Sequence, residues 1–258
     1  MICKNCEKPL TSESNFCSFC GAKVILNRLT FRNLTYEISQ RVFDLDNSFF
    51  RTFAQLIVRP EMVIDSYIQG VRRRFLNPIS HLGIALTLSG IIIFVMQKVM
   101  TPEMFFAYGR QLPEEVAGKL YNSIYDYSSL FFILYIPVFA VAGYLTFNRK
   151  DYLLSEYIIA YIYILSQWSI FLFPISLMVL IFAPTSYIDL SFPTLFIMIG
   201  YSVFAMQRIH RYAAAAATLR AILFFILTAI GYIGIIILFY IVMFMTGTLE
   251  LQDFAPQQ

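Results

Sequence analysis

Four cysteines pose the first chemical question. Cys3-Lys-Asn-Cys6 and Cys17-Ser-Phe-Cys20-Gly21 are two Cys-x-x-Cys pairs with ten residues between them. Each pair turns tightly enough for backbone N–H groups to face its sulfurs. Two such pairs can gather four thiolates around one ion, the closed tetrahedral set of a structural zinc site. The cofactor this implies is one zinc ion on Cys3, Cys6, Cys17 and Cys20. An iron centre of rubredoxin type, or four unbound thiols, are the other readings of the same residues. No cysteine lies beyond Cys20, so no disulfide is expected elsewhere. Asn15-Phe16 offers a small apolar plug to a domain too short for a core, and such a domain needs its metal to fold.

A second group is Arg72, Arg73 and Arg74, placed just before Pro78, where the first long apolar run begins. A guanidinium holds a phosphate through two hydrogen bonds. Each basic residue near an anionic leaflet contributes about 1 kcal/mol of attraction. With His81 one turn inside the run, the three arginines are candidates for anionic lipid headgroups. Setting the topology is their plainer reading. The chain has only two histidines, His81 and His210. It holds no Ser-His-acid set, no His-x-x-x-His pair and no glycine-rich phosphate loop. The apolar runs keep Asp, Glu, Lys and Arg out of their deep interiors, where ion-coupled transporters usually hold one. Ser166-Gln167-Trp168-Ser169 is the one dense polar cluster inside a run. It suits a polar groove or, more simply, hydrogen bonding between helices. No enzymatic activity is expected.

The elements that must position these residues are helical. Of 258 residues 59% are hydrophobic and 14% charged, against about 25% charged in soluble domains. The 1–77 segment carries 18 of the 35 charged residues. After it, five apolar runs are long enough to cross a ~30 Å hydrocarbon core: 78–100, 128–147, 156–182, 188–206 and 219–247. Pro137 and Pro174 should kink the second and third. The Ala213–Ala217 run should extend the fourth or fifth. Before the spans, Phe31, Leu34, Ile38 and Val42 mark one amphipathic helix. Phe49, Phe50, Phe53, Leu56 and Ile57 mark a second, ended by Pro60. A third begins at Pro60 and stops at Gly70. Helices of this kind either lie in the headgroup plane, the preferred expectation here, or pack as a hairpin on the membrane domain. The expected fold is all-α: a zinc ribbon (1–26), juxtamembrane helices (27–77), a five-span bundle (78–247) and a tail (248–258).

Charge orients it. Sixteen of the nineteen Lys and Arg fall in 1–77, 148–155 and 207–220. That bias puts the N-terminus in the cytoplasm, and five crossings put the C-terminus outside. The cysteines then lie in a reducing compartment, where thiolates bind metal rather than pair. No secretory signal is read in the first 26 residues. The net charge of +3 gives no reason to expect a nucleic-acid partner. The expected partners are the bilayer and a cytosolic protein, and association of copies is left open.

Two resemblances follow from quoted residues. Phe16-Cys17-Ser18-Phe19-Cys20-Gly21-Ala22-Lys23 resembles the close of a short bacterial zinc ribbon, with Glu7 where that family often has glycine. Thr52, Leu56, Arg59-Pro60, Tyr67-Ile68, Gly70, Arg72, Arg74-Phe75 and Asn77-Pro78 resemble, over about Cys3–Val99, the bacterial domain-of-unknown-function family numbered 3667. That family implies architecture and no mechanism. Five spans after a cytosolic segment are also similar, in topology alone, to the Yip1-type trafficking fold. The leading expectation is a non-enzymatic inner-membrane adaptor. The alternative is a transporter or lipid-handling protein with a groove between kinked spans. A mid-membrane polar cavity would favour the alternative, and a sealed apolar bundle the adaptor.

Overall fold

The computed structural model of the chain describes residues 2–3, 6–10, 16–21, 48–72, 74–101, 104 and 114–249. The expected helix over 29–45, Arg73 and most of the C-terminal tail lie outside the described residues. The chain divides into two compact units, 1–47 and 48–258. The juxtamembrane helices from Ser48 on therefore group with the spans rather than with the ribbon.

In the first unit the chain forms a ribbon. Ile2 and Pro9 make an antiparallel bridge. Glu7 N–H donates to the Cys3 carbonyl (2.8 Å), and Gly21 N–H donates to the Cys17 carbonyl (2.9 Å).

The second unit is helical throughout its described length. Helix α1 is Ser48–Val58 and α2 is Pro60–Ile68. Then come α3, Pro78–Val99, α4, Glu114–Thr146, and α5, Leu154–Phe182. A 3₁₀ turn at Pro184–Ser186 leads to α6, Tyr187–His210, and α7 is Ala214–Met245. Helices α3, α5, α6 and α7 are each long and apolar enough to cross a membrane, and α4, bent by 65°, is a fifth if its two arms form one span. These apolar helices are compatible with a multi-pass membrane protein.

Local chemistry sets the boundaries. Pro60 starts α2 at its first position, where a missing N–H costs nothing. Gly70 follows α2 at φ +95°, a conformation that side chains resist. Asn77 caps α3, its Oδ1 accepting from Ile79 N–H (2.9 Å), and Pro78 opens it. Glu156 accepts from Leu153 N–H at the start of α5 (2.7 Å). The alanine run opens α7, as its helix propensity suggests.

Helix α5 is the axis of the core. It buries Tyr157, Tyr161, Tyr163 and Ile164 and packs on α2, α3, α4 and α6. Gly143 of α4 lies so near Tyr161 that an added Cβ would meet its ring at 2.6 Å, and one at Gly231 of α7 would meet Val138 at 2.2 Å. Small residues admit such close helix approach.

Helix α4 departs from expectation. It begins 14 residues before the apolar run and bends by 65° between Val116–Ser128 and Leu130–Thr146. Pro137 lies past the bend, and Pro174 sits within the continuous α5. The first arm is polar enough to escape a hydropathy reading, yet it packs. Tyr121 donates to the Met100 carbonyl (2.7 Å), and Val116 and Leu120 cluster with Met243 and Leu249. At the other end of α4, Arg220 donates to the Thr146 carbonyl. The helix thus runs from one end of the bundle to the other.

Helices α1 and α2 also correct the preferred expectation. They pack as a hairpin on the bundle, with Leu56, Val63 and Ile64 at 0% exposure in the same core as α5. Phe50, Ile57 and Val58 of α1 stay exposed.

Candidate metal centre and helix-docking seam

The four cysteines converge. Their sulfurs all lie within 4.8 Å of one another. Cys3 Sγ is 3.7 Å from Cys20 Sγ, and Cys6 Sγ is 3.7 Å from Cys17 Sγ. Sulfurs 2.3 Å from a tetrahedral ion stand about 3.8 Å apart, so the set fits a metal and is far too open for disulfides. Cys3 and Cys17 are buried, Cys6 is half-buried and Cys20 exposed. The two knuckles repeat one geometry. Glu7 and Gly21 each follow the second cysteine of a pair, at φ +58° and +70°. Each donates its N–H back to the first cysteine of that pair. Both positions thus take a left-handed residue, glycine in one knuckle and glutamate in the other. The Lys8 backbone holds the Cys6 thiol down, but desolvation and the other three thiols outweigh it and push Cys6 up to about 12. Four adjacent thiolates therefore call for a cation, and metal uptake must release protons. Phe16 does not form the expected plug. It is 45% exposed, with Phe19 at 71% and Ile2 at 68%. Lys8 Nζ sits over the Phe19 ring at 4.5 Å.

The second feature is a polar seam that seats α1 and the α2–α3 loop on the bundle. Pro60 has no N–H, so the Leu56 carbonyl lacks the helical donor four residues on. Tyr201 of α6 supplies one, its hydroxyl donating at 2.9 Å. Gln167 of α5 donates to the Phe53 carbonyl (3.2 Å). Thr52, fully buried, accepts from Leu76 N–H (2.9 Å) and donates to the Ser48 carbonyl (2.7 Å). Tyr163 donates to the Leu76 carbonyl (2.6 Å). Both backbone groups of Leu76 are thereby satisfied inside an apolar core, which such groups require.

Ion pairs close the seam on the outside. Arg208 reaches both oxygens of Glu61 (2.7 and 3.2 Å), and Lys150 meets Asp65 at 2.6 Å. Tyr152 donates to Asp65 (3.0 Å); burial and that carboxylate hold its hydroxyl protonated well above the usual tyrosine range. Arg149 donates to the Arg211 carbonyl (2.7 Å). Helix α2, the 147–153 loop and the 211–213 loop thus share one end of the bundle.

The sequence-predicted headgroup residues separate. Arg72 and Arg74 are exposed, over the rings of Tyr67 (5.7 Å) and Phe75 (5.4 Å). Arg73 lies outside the described residues. His81 does not join them. It is 0% exposed, covered by Phe49 of α1 and Tyr163 of α5 at 6.2 and 5.9 Å between rings. Its place in the first turn of α3 suggested the interface, but α1 roofs it over. In the Ser166–Ser169 cluster, Ser169 shares a hydrogen bond with Ser89 of α3 (2.9 Å), joining two helices.

No curated protein and no solved structure matches the chain, so the Yip1-type likeness rests on span number alone. The ribbon falls outside the family match, which is shorter than the resemblance read from the sequence. Residues 46–90, which supply Thr52, Phe53, Leu56, Pro60 and Leu76 to the seam, match the family described as "Protein of unknown function (DUF3667)".

Proposed function

We propose that this chain is a non-enzymatic platform in a bacterial inner membrane, displaying a zinc ribbon to the cytosol to recruit a protein partner. The observation that carries the reading is the exposure of Phe19 (71%) and Ile2 (68%) on the metal-held ribbon. On the spans, exposed apolar side chains face lipid tails. On a ribbon outside the spans they form an apolar contact surface, and such surfaces mark protein partners. Zinc rather than iron suits a closed four-thiolate structural site. The 16-to-3 bias of Lys and Arg supports the cytosolic side. The shared end of α2, the 147–153 loop and the 211–213 loop is consistent with that bias. Arg72 and Arg74, exposed beside aromatic rings, suit contact with anionic headgroups, and in this reading Arg73 joins them.

The test is crosslinked capture from native membranes. Phe19→Asp should keep the metal and lose the partner. Cys17→Ser with Cys20→Ser should lose both. A partner retained equally by Phe19→Asp and the wild type would remove the ribbon surface from the account.

A further inference from the structure

Helix α6 packs on the bundle near both ends, Tyr187 and Ile188 of its first turn lying against the Ile92, Met100 and Leu180 cluster. Its fully buried residues, Ser202, Ala205, Met206, Ile209 and His210, all lie in its second half. Along its middle turns an apolar groove opens on either side. One groove, about 610 Å³, opens toward α4 and α7 and is lined by Tyr135, Phe196, Thr228 and Tyr232. The other, about 420 Å³, is walled by Ile57 of α1, Trp168 and Phe171 of α5, and Gly200 and Phe204 of α6. Trp168 lines both.

We propose that the groove between α1, α5 and α6 holds one acyl chain of an anionic phospholipid, with the lipid phosphate at Arg59. This goes beyond the recruitment reading and does not depend on the ribbon. The volume lies within the ~300–1,000 Å³ of ligand sites. The walls are almost wholly apolar, as a hydrocarbon chain requires. Gly200 makes the room: an added Cβ there would meet nothing within 4 Å. Arg59 is the charged residue nearest along the chain to the groove's α1 wall. It follows Ile57 by two residues, so their Cα atoms lie within about 7 Å. Its side chain is exposed. Arg208 and Lys150 at the same end are paired with Glu61 and Asp65. Arg59 has no ion pair or side-chain hydrogen bond among the described residues. An exposed guanidinium two residues from the wall of an apolar slot is complementary to a lipid that carries both a chain and a phosphate.

The chain's single tryptophan reports on this groove. The full-length protein would be placed in phosphatidylcholine vesicles containing a low mole fraction of lipid brominated on its chains. Two arms carry brominated phosphatidylglycerol and brominated phosphatidylcholine. Bromine quenches Trp168 only on close approach. The anionic lipid should quench about fivefold more effectively at equal mole fraction, the ratio implied by about 1 kcal/mol per arginine. Arg59→Gln, an exposed change that leaves the core untouched, should bring that ratio close to one. Gly200→Leu fills the slot and should reduce quenching by both lipids. Equal quenching by the two lipids in the wild type overturns the proposal. So does anionic preference that survives Arg59→Gln. Undiminished quenching in Gly200→Leu would put the chain in the neighbouring groove and overturn it as well. A dimer that shields Trp168 from both lipids would assign the slot to a second copy.

Discussion

Glu7 occupies a left-handed turn that its counterpart Gly21 adopts freely. An L side chain at such φ costs about 1–2 kcal/mol, so Glu7→Gly should tighten the ribbon. A chelator competition should show metal retained at a severalfold higher chelator concentration, and unchanged or weaker retention would contradict the geometry. Thr52→Val tests the seam in the same way. It keeps the shape but leaves Leu76 N–H buried without an acceptor, a loss of about 1–3 kcal/mol. A thermal unfolding midpoint in detergent should fall clearly, and no fall would mean that Thr52 is packing alone. The cysteine set was legible in the sequence because its four ligands lie within 20 residues at a spacing tied to metal geometry. The role of Thr52 was not. Its partner Leu76 is 24 residues away, and nothing local marks a threonine as an acceptor. His81 was misread for the same reason: its exposure depends on α1, a separate element.

Among elements, the hairpin of α1 and α2 asks which interaction holds it. The ion pairs look prominent, yet the Arg208 and Lys150 side chains remain 43% and 36% exposed. Pairs so exposed contribute about 0–1 kcal/mol each. Leu56, at 0% exposure, should contribute more, since Leu→Ala in a core costs about 2–5 kcal/mol. Leu56→Ala should therefore release α1 while Glu61→Gln barely changes it, read by hydrogen exchange over 48–68. Comparable effects would reverse this ranking. Tyr201→Phe should lie between them, because it orphans the carbonyl that Pro60 already deprived of a donor. The apolar runs announced α3, α5, α6 and α7 to within a few residues at most ends. They missed the first arm of α4, where Glu114, Glu115, Lys119 and Asp126 mask a helix held by Tyr121, Val116 and Leu120. They also left open whether the hairpin floats or docks. The donors that dock it, Gln167 and Tyr201, lie 114 and 145 residues away from the carbonyls they serve.

For the whole molecule, the account depends on how often the chain crosses. Helix α4 decides it. Bent by 65°, it either traverses or turns back, and its contacts at both ends of the bundle argue for a crossing. In the proposed topology five crossings put the two termini on opposite sides, with the charge bias as the reason to place the ribbon inside. The direct measurement is a reporter active only in the cytoplasm, fused at the N-terminus, after Lys150 and after Asp253. The account predicts activity at the first two positions and none at the third. Activity after Asp253 would contradict it, leaving α4 as a re-entrant segment and the chain with four crossings.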